Sequence, residues 1–149
     1  MSVENNKAIV RRIYEEIVGG RHLDLADALV SPDYVDHNAA LHGWPQGPEG
    51  FRIHAAYIHQ VFDQLTITIE EIIAEDDRVV VTWRLKGRHV GETWGVAATG
   101  RVVESVTTSL VRLRDGKVVE YEARPDRLGL LTQFGQLGDY AVHFRPEAG

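Results

Sequence analysis

Gly116-Lys117-Val118-Val119-Glu120-Tyr121-Glu122-Ala123-Arg124-Pro125-Asp126, followed by Arg127-Leu128-Gly129-Leu130-Leu131-Thr132-Gln133-Phe134-Gly135, is the stretch that organises the chain. It reads as a hairpin turn, a strand, a proline stop and a short apolar helix. Asp115-Gly116 is a strong two-residue hairpin signal. It fixes the register between a strand over 118–124 and the strand before it. Asp126 stands where the second strand ends, and two roles are open to it. A carboxylate beside apolar residues is costly to desolvate and suits acid/base work. Aspartate is equally a preferred N-cap for the helical segment 128–134.

Upstream, residues 102–114 alternate, with Val103, Ser105, Thr107, Ser109, Val111 and Leu113 on one face. The ends of that face are apolar and its middle carries small hydroxyls. This is either a cavity wall with room and donors, or the outer face of a curved sheet rich in strand-forming Thr. Residues 91–101 form a connection with a turn at Thr99-Gly100. Residues 79–89 alternate clearly, which turns Val79, Val81, Trp83, Leu85 and His89 inward. Asp76-Asp77 is a turn, and residues 66–74 alternate in part.

The N-terminal half is helical. Ile9, Val10, Ile13, Tyr14 and Ile17 recur at helical spacing over 3–18, and Gly19-Gly20 ends the run. A second short helix spans 23–30, and Ser31-Pro32-Asp33 signals a turn. A third helix covers 48–64, where Pro48 suits the first turn. Phe51, Ala55, Ile58 and Phe62 form its apolar stripe, with His54 beside it as either a core-edge residue or a functional one. Asp36 and His37 could be a charge-relay fragment, but neighbours in an extended stretch face opposite ways. The alternative is turn hydrogen bonding by Asp36 and Asn38. The loop 43–48 is rich in Gly and Pro, and its Trp44 is either a lid or a surface anchor.

At 149 residues with no cysteine, the expectation is one domain over 1–149, with a core at about 7–138 and a tail over 139–149. A chain this long buries roughly 70% of its unfolded surface. The net charge of −6 and the absence of a basic stripe argue against a nucleic-acid partner. No apolar run reaches membrane-spanning length, and the polar N-terminus does not read as a signal peptide. A cytoplasmic location is the expectation. His54 and His59 are five apart rather than four, so they do not share a face as a metal pair, and no metal is expected. Three helices, about four antiparallel strands and a last short helix make an α+β fold. The N-terminal helices pack on a curved, mainly antiparallel sheet, forming a cone with an internal pocket.

Gly87-Arg88-His89-Val90-Gly91-Glu92, Thr99-Gly100-Arg101, Asp115-Gly116-Lys117, and Pro125-Asp126 with Gly129 and Gln133 together resemble the SnoaL-like polyketide cyclases of the nuclear-transport-factor-like superfamily. The resemblance runs over about 7–138. It implies a cofactor-independent, metal-free enzyme that closes a polyketide ring by an intramolecular aldol-type reaction on a small hydrophobic or aromatic substrate. It implies that Asp126 is the catalytic acid/base. His54 and His89 would bond substrate oxygens, Trp83 would form pocket wall, and Ser109 and Arg124 would tune the site. Asp36 and His37 complete the expected substrate-binding set.

The chain departs from the aldol cyclases at several positions. Ser109 replaces a histidine, Ala123 and Arg124 replace an aspartate and an aromatic residue, and His54 stands where asparagine can occur. Arg124 could pair with Asp126 or Glu122. The same cone could therefore serve as a hydrolase, a dehydratase or an epoxide-opening enzyme, or as a non-catalytic binding module. Analogy with the superfamily implies a homodimer or homotetramer.

Overall fold

The computed structural model describes residues 2–138; the expected tail over 139–149 lies outside the described residues. Helix α1 (Val3–Arg12) starts on Ser2, whose hydroxyl accepts from the Asn5 N–H, and continues as a π-helical segment (Ile13–Gly19). Val10, Ile13, Tyr14 and Ile17 are buried, as their spacing requires. The second helical stretch is shorter than expected and split into a 3₁₀ turn (Leu23–Leu25) and α2 (Ala26–Leu29).

Two expectations fail between residues 30 and 65. Ser31-Pro32-Asp33 is not a turn but the interior of strand β1 (Val30–Asp36). Proline is tolerated there because β1 is an edge strand, and its register against its neighbour shifts between Val30 and Val35. A further short helix, α3 (Ala39–His42), precedes the Gly- and Pro-rich loop and is closed by Gly43 at φ +69. Helix α4 (Gly47–Val61) ends earlier than its stripe suggests, because Phe62 already pairs with His89 in β2 (Phe62–Glu75). Sheet pairing wins there over helical spacing, and Gln64 at φ +49 marks the bulge next to the junction.

Strands β3 (Arg78–His89), β4 (Val102–Arg114) and β5 (Lys117–Pro125) match the sequence reading, and α5 (Arg127–Gln133) follows. Asp115 and Gly116 both have positive φ, as a type I′ hairpin turn demands. Among the described residues the sheet has five strands rather than four, in the order β1-β5-β4-β3-β2. All pairs are antiparallel except β1 with β5. The sheet curves without closing, and the helices cover its inner face.

Val79, Val81, Trp83 and Leu85 of β3 and Val103, Val111 and Leu113 of β4 form that face with the helical apolar residues. The hydroxyl face of β4 is the buried one: Ser105, Thr107 and Ser109 all point inward. The outer face carries ion pairs, such as Arg84 with Glu70 and Glu104, and Arg88 with Asp63. Among the described residues no helix is long and apolar enough to cross a membrane.

Candidate active site

The cone holds a cavity of about 770 Å³, part of it open to solvent. Its wall is mostly aromatic and aliphatic: Trp44 and Tyr57 on one side, Phe62, Trp83 and Leu85 on the sheet, and Leu130 and Phe134 from α5. Such a lining suits a flat aromatic ligand. All three tryptophans of the chain, Trp44, Trp83 and Trp94, line it.

One polar pair dominates this apolar wall. His54, one turn beyond the Phe51 anchor on α4, presents Nδ1 to Asp36 Oδ2 at 2.6 Å. The Asp36 side chain is 1% exposed and that of His54 18%. Strand alternation turns Asp36 inward beside Tyr34, while His37, just past the strand, is exposed. Burial pushes the Asp36 carboxyl upward. The bond and charge of His54 and the Asn38 N–H outweigh that together, leaving it below the ordinary carboxylate value. An ionised carboxylate at Nδ1 fixes the proton there and leaves the Nε2 lone pair as the available base.

The backbone around this pair is held by side-chain amides. Gln46 Oε1 accepts from the Asp36 N–H at 2.7 Å, and its Nε2 donates to the Asp36 carbonyl at 3.3 Å. Gln46 therefore serves as a surrogate strand partner at the open edge of β1. On the other side, Asn38 exchanges two bonds with the Ala123 backbone, at 2.7 and 3.0 Å. Trp44, two residues before Gln46, packs on His54 with ring centroids 4.7 Å apart and stacks on His42 at 4.1 Å. The sequence left Trp44 open between lid and surface anchor; it is part of the cavity rim.

Beneath the cavity lies a chain of polar groups. Trp83 Nε1 donates to Ser109 Oγ at 3.0 Å, Ser109 Oγ bonds Tyr121 OH at 3.2 Å, and Tyr121 OH meets Tyr14 OH at 3.3 Å. Burial raises both phenols above their ordinary value, so they stay neutral. Ser109 is fully buried under Trp83 and does not belong to the cavity lining, whereas Ser105 and Thr107 do.

The expected substrate-binding residues thus separate into three groups. His54 and Trp83 are in the wall, with Asp36 behind His54 and Ser109 behind Trp83. His89 is buried elsewhere, stacked on Phe134 at 4.1 Å, with Nδ1 engaged by Thr99, so it pins the 90–101 connection and is not a lining residue. His37 bonds Glu120 at 2.7 Å and Arg124 pairs with Glu122 at 3.2 Å, both on the outer face.

Asp126 is exposed; its Oδ1 accepts from the Gly129 N–H at 2.8 Å, capping α5. Its neighbours Pro125 and Arg127 line the cavity while Asp126 does not. The apolar surroundings expected for this acid are therefore not what the fold supplies.

Tyr57, Tyr121, Trp94 and Arg127 were not singled out by sequence reading. For Tyr121 the signal was present: once the hairpin sets the register, it lies opposite Val111 on the inner face. Among the described residues no cluster of three or more metal-ligating side chains occurs.

Comparison with known proteins agrees with this architecture. The family model for SnoaL-like polyketide cyclase matches residues 8–134. Aklanonic acid methyl ester cyclase AcmA of Streptomyces galilaeus is 33% identical over 141 residues, covering 93% of this chain and 96% of the relative. Nogalonic acid methyl ester cyclase of Streptomyces nogalater is 31% identical over 114 residues, covering 75% and 84%. Among solved structures, IdmH of Streptomyces antibioticus shares 28% identity with a TM-score of 0.73, over 87% of this chain and 98% of that one. TsrD of Streptomyces laurentii has a TM-score of 0.82 at 23% identity, over 92% and 99%, which is a likeness of fold. The chain is a cyclase-type enzyme and belongs to the SnoaL-like polyketide cyclase family.

Proposed function

We propose that this cyclase closes a ring on an aromatic polyketide in antibiotic biosynthesis, without a cofactor, by proton transfer through His54 held by Asp36. The single observation that carries the reading is the 2.6 Å Nδ1 contact in the wall of an aromatic cavity. His54 Nε2 removes a proton from a carbon flanked by carbonyls. The resulting enolate attacks a ketone of the same molecule. One C–C bond forms, one C=O π bond is lost, and the alkoxide takes the proton back from His54. Atoms and electrons balance within the substrate. The Asp36 carboxylate stabilises the imidazolium formed in between. The aromatic wall orients the rings and excludes water.

Asp126, the carboxylate that the resemblance designates, is the competing proton carrier in this proposal. The wild type, His54→Ala and Asp126→Asn are each incubated with aklanonic acid methyl ester and the cyclised product is followed by chromatography. Loss of product in the first variant and its retention in the second support the dyad. The opposite pattern returns the chemistry to the β5–α5 junction.

The same His–Asp arrangement activates water equally well, and this favours hydrolysis or dehydration as the second reading. Incorporation of ¹⁸O from labelled water marks hydrolysis and a product lighter by one water marks dehydration, whereas ring closure leaves the mass unchanged. The exposed Ile73, Val102 and Leu110 on the outer sheet face support the expectation of a homodimer or homotetramer. Light scattering that returns the mass of a single chain would remove it.

A further inference from the structure

A shallower depression shares His42, Trp44, Tyr57, Trp94 and Arg127 with the cavity and forms its vestibule. Among the described residues Arg127 is the one arginine or lysine in either lining. Its guanidinium carbon sits 5.3 Å from the centre of the Trp94 ring. Stacking of this kind holds the planar group in place while its N–H edge stays available. Most other arginines are matched to acids, among them Arg12, Arg52, Arg84, Arg88 and Arg112. Among the described residues Arg127 has no acid within ion-pair distance. Adjacent Asp126 directs Oδ1 to the Gly129 N–H, and Glu92, the acid of the vestibule, directs Oε1 to the Gly95 N–H at 2.8 Å. The positive field of Arg127 reaches across the opening. After burial and the influence of His54, it helps hold the His42 imidazole below its ordinary value.

We infer that Arg127 recognises a carboxylate on the outward end of an aromatic substrate, so that the preferred ligand is a free aromatic acid rather than its neutral ester. A guanidinium clamped on an indole is suited to bidentate carboxylate binding. The rings then extend inward past Trp44 and Tyr57 toward His54. This specificity rests on the cyclase reading, and it sets the chain apart from the curated relatives, whose names specify methyl esters.

The test is direct binding, independent of turnover. Anthraquinone-2-carboxylate and its methyl ester are titrated into the full chain, with quenching of the cavity tryptophans as the readout. The wild type binds the acid about tenfold more tightly than the ester, and the preference shrinks as salt is raised. Arg127→Gln removes the preference by weakening the acid far more than the ester, while Arg127→Lys keeps part of it. Equal binding of acid and ester by the wild type overturns the assignment, as does an equal loss of both in Arg127→Gln. In either case the cavity and its cyclase reading stand. Failure of both probes to bind at all sinks the carboxylate site and the aromatic cavity together.

Discussion

Two aspartates stand at the ends of neighbouring parallel strands, Asp36 closing β1 and Asp126 just beyond β5, and their surroundings differ in every respect. Asp36 is buried and receives His54 and the Asn38 N–H. Asp126 is exposed and receives a helix N–H. What separates them is the element that follows each strand. After β1 the chain loops out through α3 and returns as α4, which lays an imidazole across the carboxylate. After β5 the helix begins at once, so the carboxylate is consumed by capping. A strand-end acid gains a side-chain partner here only where a second element crosses in front of it.

The largest effect expected is at His54. His54→Ala should lower kcat for ring closure by about 10²–10⁴-fold, the range for loss of a general base, with circular dichroism unchanged. A variant within a factor of two of wild type would erase the distinction between the two aspartates. Asp36→Asn comes next. It should lower kcat by on the order of tenfold to a hundredfold, because the neutral amide no longer stabilises the imidazolium.

Asp36→Asn also carries a stability signature. The folded-state value of Asp36 lies below the ordinary carboxylate value, so its contribution is present above the unfolded value and is lost as pH falls through the lower folded one. Denaturant midpoints measured from neutral pH down to about pH 3 should therefore fall less steeply in Asp36→Asn than in the wild type. An identical slope would mean that the carboxylate gains nothing from its partners.

Gln46→Ala sharpens the comparison at the backbone. Removing the surrogate strand partner should cost about tenfold in kcat with KM within a factor of about two, since the amide positions Asp36 without touching ligand. Gln46→Glu keeps the acceptor for the Asp36 N–H and should recover part of the loss. A KM change alone would relocate Gln46 to the binding surface. The smallest effects belong to Asp126. Asp126→Asn should be nearly neutral in stability and activity, because asparagine caps as well as aspartate, whereas Asp126→Ala should cost about 1 kcal/mol. Thermal melts of both, beside their activities, show whether the cap is the whole role.

The sequence made one half of this comparison easier to read than the other. The hairpin at Asp115-Gly116 and the alternation of β3 and β4 are local patterns. From them the sheet register and the inward Trp83 could be read directly, whereas the hydroxyl face of β4 stayed open between cavity wall and outer face until packing buried it. The cap at Asp126 was legible for the same reason, since it needs only the residues that follow it. The dyad was not, although both members had been singled out. His54 and Asp36 are 18 residues apart on a helix and an edge strand. Only the packing of α4 against β1 brings them together, and β1 itself was hidden by Ser31-Pro32-Asp33. His37 and Arg124 were chosen for their chemistry, yet each alternates with an inward neighbour, Asp36 or Ala123, and so faces outward. The resemblance supplied an acid at Asp126 but could not supply its surroundings.

Gly50 constrains how such an enzyme can change its substrate range. A Cβ at this position would fall 1.8 Å from the Pro45 carbonyl oxygen, so the rim loop is seated directly on the helix that carries His54. That corner is a fixed jaw. Accommodation of wider or longer ring systems falls instead to residues 94–98, between Thr93, which bonds Tyr57, and Thr99, which holds His89. A library aimed at new substrates belongs in residues 94–98, with Gly95 kept for its φ of +78 and 43–50 left as found.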